Sequence, residues 1–311
     1  MQNPNISIVI LTYNRPDSII RNVREILDIS IEEVELIVVD NCSDVPVTEI
    51  LSGFDGVRII RLEENVGVAG RNIGVSEANA DIVITLDDDV FGLTDRDIRK
   101  ILRLFNKRNK LGAINFKVID DETEEQINWC HHRKIEDWCD VTFSTYEISE
   151  GAVAFKRLAF TKAGAYPDYF FISHEGPDLA IRMMNIDYDI LYVPDIVVRH
   201  AHAPEGRPSW RRYYYDSRNI IWLAARCYPI QLTLKRLFID LSALFVYAVR
   251  DGFVTYWAKG IKDGFLGTPK VYKDRVIMSK QTIKRYRALE KYNPSFMYMF
   301  RKRVFRKNVN I

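Results

Sequence analysis

The sequence predicts an α/β fold with a largely parallel sheet, and three observations carry that prediction. Short β-branched runs alternate with amphipathic helical stretches through the first hundred residues. The runs are apolar on consecutive positions, as strands covered on both faces must be. Polar clusters stand where the runs stop: Thr12-Tyr13-Asn14, Asp40-Asn41 and Asp87-Asp88-Asp89. In a sheet of this kind ligands bind at the carboxyl ends of the strands, so three such clusters on one edge mark a site.

The elements follow in order. A strand covers 6–12, and a helix opening on Pro16 covers 16–28, since proline suits the first helical turn. Strands at 34–39, ending on Asp40, and at 57–62 follow, then a helix at 69–78 and a strand at 82–86. Thr94 reads as the N-cap of a helix reaching Lys107, because its hydroxyl can accept from a free first-turn N–H. The middle of the chain is mixed: strands at 112–119 and 141–144, a helix at 177–185, and two short strands at 189–193 and 196–200. Past Pro229, the residues Leu234, Leu237, Phe238, Leu241, Leu244, Phe245, Ala248 and Val249 recur at three- and four-residue steps, which is one apolar stripe along a long helix.

With 311 residues, 47% hydrophobic and 28% charged, the chain has the composition of a globular protein with room for one large domain or two small ones. No basic-then-apolar leader opens it, and the cytoplasm is the expected compartment. The uncharged stretch 241–249 is too short to cross a bilayer. The net charge of +2 hides an asymmetry. From Tyr228 onward there are 18 Lys and Arg against 5 Asp and Glu, so residues 1–227 carry −11. A basic tail with a strong apolar face fits an anionic membrane surface better than a nucleic acid, and the alternative is a helix packed on the body with a solvated basic face. Cys130-His131-His132 and Cys139 match no common zinc spacing, and reduced thiols are expected.

The acidic run is the chemical centre. Three adjacent carboxylates repel unless a cation or hydrogen-bond donors compensate. If the strand stays extended, Asp87 and Asp89 point to one side and Asp88 to the other, and two carboxylates together make a hard oxygen site for Mg²⁺ or Mn²⁺. A solvated acidic turn is the plainer alternative.

The segments Ser7 to Pro16, Val38 to Ser43, Glu64 to Gly74, Leu86 to Asp89 (a D-x-D motif), Glu175 to Arg182 and Val197 to His200 together resemble glycosyltransferase family 2, over about residues 5–225. The resemblance implies a GT-A fold: Rossmann-like, with a mostly parallel mixed sheet and helices on both faces. A catalytic domain at 1–228 would then precede a basic amphipathic helical extension at 229–311. It implies that Asp40 accepts from the imide N–H of a uracil or thymine, although a carboxylate after a strand also serves as a turn or helix cap. Thr12 and Asn14 would line the nucleotide pocket with Asp88, Arg71 would approach ribose or diphosphate, Asp87 would contact ribose or metal, and Asp89 would ligate Mg²⁺ or Mn²⁺. His200 would complete that shell or act structurally, with His202 as fallback. The ion would offset the charge that develops on the leaving diphosphate.

Inversion at the anomeric carbon needs a carboxylate to take the acceptor's proton. Many relatives carry adjacent acids before this helix, and here the second is replaced by Gly176. Glu175 and Asp178 are the candidates, in that order. Asp178 also suits a helix first turn without any catalytic role and could pair with Arg182 one turn on.

Two motifs mislead. The glycines 67, 70 and 74 do not form the G-x-G-x-x-G dinucleotide fingerprint, which follows the first strand. The run Trp210 to Asn219 is expected to be a loop closing over the site rather than a stacking surface for nucleic acid. The expectation is an inverting, metal-assisted glycosyltransferase using a UDP- or dTDP-sugar, with a glycan or lipid-linked saccharide hydroxyl as acceptor. The absence of a Gln-x-x-Arg-Trp motif argues against a processive synthase. The alternatives are a non-catalytic nucleotide-sugar-binding module and a sugar-nucleotide pyrophosphorylase, which would want a Gly-rich basic loop after the first strand.

Overall fold

The computed structural model describes residues 4–30, 34–201, 209–295 and 298. Its strands are β1 (Ile6–Thr12), β2 (Val34–Asp40), β3 (Val57–Arg61), β4 (Ile82–Asp87), β5 (Val90–Phe91), β6 (Leu111–Asp120), β7 (Phe143–Ser144), β8 (Ala152–Lys156) and β9 (Asp189–His200). The helices are α1 (Pro16–Leu27), α2 (Val47–Ile50), α3 (Gly70–Glu77), α4 (Asp95–Lys107), α5 (Ile135–Trp138), α6 (Arg157–Lys162), α7 (Glu175–Asn185), α8 (Trp210–Cys227), α9 (Ile230–Asp251), α10 (Val254–Tyr272) and α11 (Lys280–Glu290).

One mixed sheet runs in the order β3-β2-β1-β4-β8-β6-β9-β5, with β7 also on β9. Strands β3, β2, β1 and β4 are parallel, joined through helices. Strand β8 is antiparallel to both β4 and β6, and β9 runs parallel to β6. The carboxyl ends of β1, β2, β4, β6 and β9 therefore share one edge, and β8 starts there.

Alternate residues of each parallel strand feed two cores. Ile8, Ile10, Val38 and Ile84 pack under α1 and α4, while Val9, Val39 and Val83 pack against the other face with α3 and α7. This is the two-sided burial that unbroken apolar strands require. The cap expected at Thr94 is a reciprocal box: Asp97 N–H donates to Thr94 Oγ1 at 3.4 Å and Thr94 N–H to Asp97 Oδ2 at 3.0 Å.

Three expectations need correction, and one strand has no counterpart among them. The segments 189–193 and 196–200 are one strand, β9, whose pairing with β6 jumps from Val193 to Val197. That irregularity accommodates Pro194, which has no N–H to give the ladder. Strand β8 was not anticipated. Its partners lie about 40 and 70 residues away, and non-local pairing leaves no local mark on Ala152–Lys156. The run Trp210 to Asn219 is no loop but the front of the 18-residue helix α8, capped by Ser209 Oγ. The apolar stripe on α9 is two stripes. Leu237, Leu241, Leu244 and Ala248 turn inward, whereas Leu234 (64% exposed), Phe238 (76%), Phe245 and Val249 face out.

The chain after Pro229 shares the larger core. Val271, Met278 and Tyr286 are buried in it, and the Tyr286 ring lies 4.5 Å from that of Tyr146. No helix among the described residues is long and apolar enough to cross a membrane.

Candidate functional site

The acidic run does not continue the strand. Strand β4 stops at Asp87, and Asp88 and Asp89 form a turn before β5. The alternation expected for an extended chain therefore fails, and Asp88 and Asp89 converge while Asp87 stands apart. Asp88 accepts from Thr12 Oγ1 at 2.7 Å and lies 3.3 Å from Arg15 Nη1. Arg15 also pairs with Asp89, whose other oxygen is 3.1 Å from His200 Nε2. Burial pushes the Asp88 carboxyl up to about 6 despite Arg15 and Thr12. Burial acts the same way on Asp89, but His200 and Arg15 outweigh it and hold that carboxyl below its ordinary range. The Arg15 side chain is 45% exposed, so the cation balancing two buried acids stands at the mouth of the site.

Asp87 belongs to a second cluster. It pairs with Arg71 of α3, which is buried. Arg71 faces Tyr166, Glu150 and Glu175 as well. Three polar atoms here have no hydrogen-bond partner: Arg71 Nε, Tyr166 Oη and Glu175 Oε2. Unpartnered buried polar atoms cost free energy and call for an explanation. Burial holds the Glu175 carboxyl up at about 7, against backbone N–H groups and Arg71 that favour its charged form. An open cleft of about 270 Å³ is lined by Asp87, Asn128, Trp129, Ser149, Glu150 and Gly151, among others.

The turn before Glu175 is strained. Phe171, Ser173 and His174 have φ of 66°, 77° and 66°, unusual for residues with side chains. Helix α8 holds it. Asn219 Nδ2 lies 3.0, 2.8 and 2.7 Å from the carbonyls of Phe170, Ile172 and Ser173, and Arg218 donates to Phe170 O at 2.7 Å. Ser173 Oγ donates to Asp216 at 2.6 Å. The segment expected to be a lid thus braces the turn that presents Glu175. Gly67, at φ +63°, meets the same turn, and a side chain there would run into Phe171 O.

Two expected site residues have their carboxylates engaged by buried partners. Asp178 is fully buried, with Oδ1 2.8 Å from Arg226 Nε and Oδ2 2.7 Å from Arg182 Nε. Burial pushes its carboxyl up, but the two guanidinium groups outweigh that and hold it low, so it is a poor proton acceptor with no open face. Asp40 is also fully buried. It accepts from Ser43 N at 2.8 Å and Val47 N at 3.2 Å and pairs with Arg61 at 2.5 Å, contacts that close the turn into α2. Asn14 exchanges hydrogen bonds with Asp44, at 3.1 and 2.7 Å, and ties the rim loops after β1 and β2 together. His202 lies outside the described residues. His131, from the weighed zinc motif, is buried and 3.2 Å from Thr145 Oγ1.

Arg15 and Glu150 were not anticipated. Arg15 sits at the head of α1, and only the fold brings it to the acids 73 and 74 residues on. Glu150 follows Ser149 in a segment with no regular pattern.

Among the described residues no three His, Cys, Asp or Glu side chains form a ready cage for a metal ion. The donor chemistry nonetheless suits Mg²⁺ or Mn²⁺: Asp89 and His200 are already adjacent, and Asp87 is at the same strand end.

A family model described as Glycosyl transferase family 2 matches residues 7–172, more than half of the chain. The dTDP-rhamnosyl transferase RfbF of Shigella flexneri is 25% identical over 285 residues, spanning 83% of this chain and 94% of the relative. The O-antigen chain rhamnosyltransferase RfbN of Salmonella typhimurium is 24% identical over 223 residues, 67% of this chain and 70% of the relative. The crystal structure of S. aureus TarS 1–349 in complex with UDP-GlcNAc superposes with a TM-score of 0.61 at 15% identity, over 92% of this chain and 90% of that one. The mannosyltransferase PcManGT from Pyrobaculum calidifontis, in complex with GDP-Man and Mn²⁺, gives 0.58 at 14% identity, over 99% and 89%. At these identities the solved structures show a common fold.

Proposed function

Because the chain belongs to glycosyl transferase family 2, and is therefore a sugar-transferring enzyme of GT-A fold, we propose that it moves a sugar from a dTDP- or UDP-linked donor to a glycan or lipid-linked hydroxyl with inversion. The observation that carries this reading is the pair of acid–arginine clusters at the carboxyl edge of the sheet, Asp88 and Asp89 with Arg15 and Asp87 with Arg71 near Glu175, the second beside an open cleft. The relatives named as rhamnosyl transferases favour dTDP-rhamnose as donor and a surface polysaccharide as product.

Thr12, Asn14 and Asp88 would form the floor under the nucleotide, and Arg71 would set the charge and position of Asp87. Asp89, Asp87 and His200 would hold Mg²⁺ or Mn²⁺, whose chemistry is to neutralise the departing diphosphate. Glu175, with a carboxyl that is half neutral near pH 7 and one oxygen unpartnered, would stand beside the place where the acceptor's proton is taken.

The first 228 residues would be the catalytic body and 229–311 an extension that lies on the cytoplasmic membrane face. Ile230, Leu234, Phe238 and Val249 give α9 an exposed apolar stripe, and the region carries 18 Lys and Arg. Most of the basic run from 298 to 307 lies outside the described residues. Full-length L234S/F238S should sediment less with vesicles of anionic lipid than the parent does; equal sedimentation would remove the membrane assignment.

The activity is tested by nucleoside diphosphate release from a panel of nucleotide sugars with and without Mn²⁺. Release above the enzyme-free rate from a dTDP- or UDP-sugar, stimulated by Mn²⁺, is expected. Gly176 favours one other reading, a module that binds donors without turnover, and donor binding with no release would select it.

A further inference from the structure

The resemblance that places a second acid beside Glu175 meets glycine in this chain, and the structure shows what fills the space. A Cβ built on Gly176 would fall on Glu150 Oε1, with Glu150 Cδ 3.1 Å away. The carboxylate of Glu150, together with the carbonyl oxygen of Ile148, thus lies where a side chain at position 176 would begin. A second glycine makes the approach possible from the other side: a Cβ on Gly151 would run into the Asp87 carboxylate, whose Oδ1 is 2.8 Å from that point. Two missing side chains let Asp87, Glu150 and the start of α7 close on one another.

We propose that Glu150 is the catalytic base of this enzyme, delivered from the loop before β8 to the start of α7. Three observations carry this beyond proximity. Glu150 lines the open cleft together with Asp87, whereas neither Glu175 nor Asp178 does. Its backbone is held: Thr85 Oγ1 donates to Glu150 O at 2.8 Å, Asp87 N to Gly151 O at 3.0 Å, and Ser149 N to Asn115 Oδ1 at 2.7 Å. A base on a braced loop keeps the geometry that proton transfer needs. Glu175 stands behind it with Oε2 unpartnered, so two carboxylates occupy a site with one buried guanidinium, Arg71, which already pairs with Asp87.

The step balances within the reaction proposed above, on which this inference rests. Glu150 takes the proton of the acceptor hydroxyl, and the oxygen's electron pair forms the bond to the anomeric carbon. The bond from that carbon to the phosphate oxygen breaks, and its pair leaves with the nucleoside diphosphate. The proton then passes from Glu150 to water in the cleft.

The test uses the full chain with dTDP-rhamnose and UDP-GlcNAc as donors and water as acceptor, read as nucleoside diphosphate release, with donor affinity measured by calorimetry. E150Q, which keeps size and backbone contacts, should lower release at least about 100-fold while leaving donor affinity within about threefold. The second variant keeps the acid: E150D, with its carboxylate on the same braced loop, should release at least about tenfold faster than E150Q. E150Q within about threefold of the parent, or E150D no faster than E150Q, would overturn the assignment. If the parent binds donor but releases nothing, the transferase reading itself fails and takes this inference with it; a fast parent with an equally fast E150Q removes only Glu150.

Discussion

Two carboxylate–arginine clusters in this molecule use the same chemistry to opposite ends. Around Asp178 one acid is matched by two guanidinium groups, every oxygen is hydrogen-bonded, and solvent is excluded. At the sheet edge the acids Asp87, Asp88, Asp89, Glu150 and Glu175 outnumber Arg15 and Arg71, polar atoms are left unpartnered, and a cleft opens beside them. A satisfied cluster holds helices α7 and α8 together. An unsatisfied one stores unfavourable electrostatics that a cationic or hydrogen-bonding ligand relieves. Satisfaction and access, rather than the presence of acids, separate the site from the scaffold.

The contrast breaks most visibly at Asp178. D178N leaves two buried guanidinium groups without a counter-charge and should cost about 3–5 kcal/mol of stability in denaturant unfolding. The pH dependence follows from the sign of the shift. The folded-state carboxyl of Asp178 lies below its ordinary value of 3.8, so its stabilisation is present above that pH and is lost as pH falls through the lower folded value. The stability gap between parent and D178N should therefore narrow below about pH 4.

D89N should invert that pattern. Donor turnover should fall at least about 100-fold, or about 2.7 kcal/mol in activation free energy, while unfolding free energy falls by less than in D178N, because the Arg15 partner is 45% exposed. A large loss of stability in D89N would move Asp89 into the scaffold class.

E175Q sharpens the comparison from the other side. Glu175 titrates at about 7 in the folded state against an ordinary 4.5, so its contribution is fully present below 4.5 and is lost as pH rises through 7. Removing the charge should stabilise the protein by about 1–3 kcal/mol at pH 8 and by nothing measurable at pH 4, read from melting curves. A variant less stable at pH 8 would place Glu175 among the satisfied groups.

How far the sequence discloses this arrangement depends on whether the cause is local. Strand β1 and the Thr94 cap are legible because residue type and period act over a few positions. The three acids are legible as a site because they end an apolar strand. Which way they point is not, since the turn at Asp88 is set by Thr12 and Arg15 across the sheet edge. Asp40 and Asp178 look like functional acids in a motif, and their arginine and backbone partners come from distant segments such as Arg226. Glu150 carries no sequence signal of its own. Only the missing side chain at Gly176 hints that a partner from elsewhere is required, and the antiparallel strand that brings it was itself invisible.

The most direct test of the central claim, that the strand-edge acids hold the nucleotide sugar through a divalent cation, is calorimetric titration of dTDP and UDP into the parent and D89N with and without Mn²⁺. The account predicts that Mn²⁺ tightens binding to the parent at least about tenfold and leaves D89N unchanged. Affinity that is indifferent to Mn²⁺ in the parent, or equally enhanced in D89N, would contradict it.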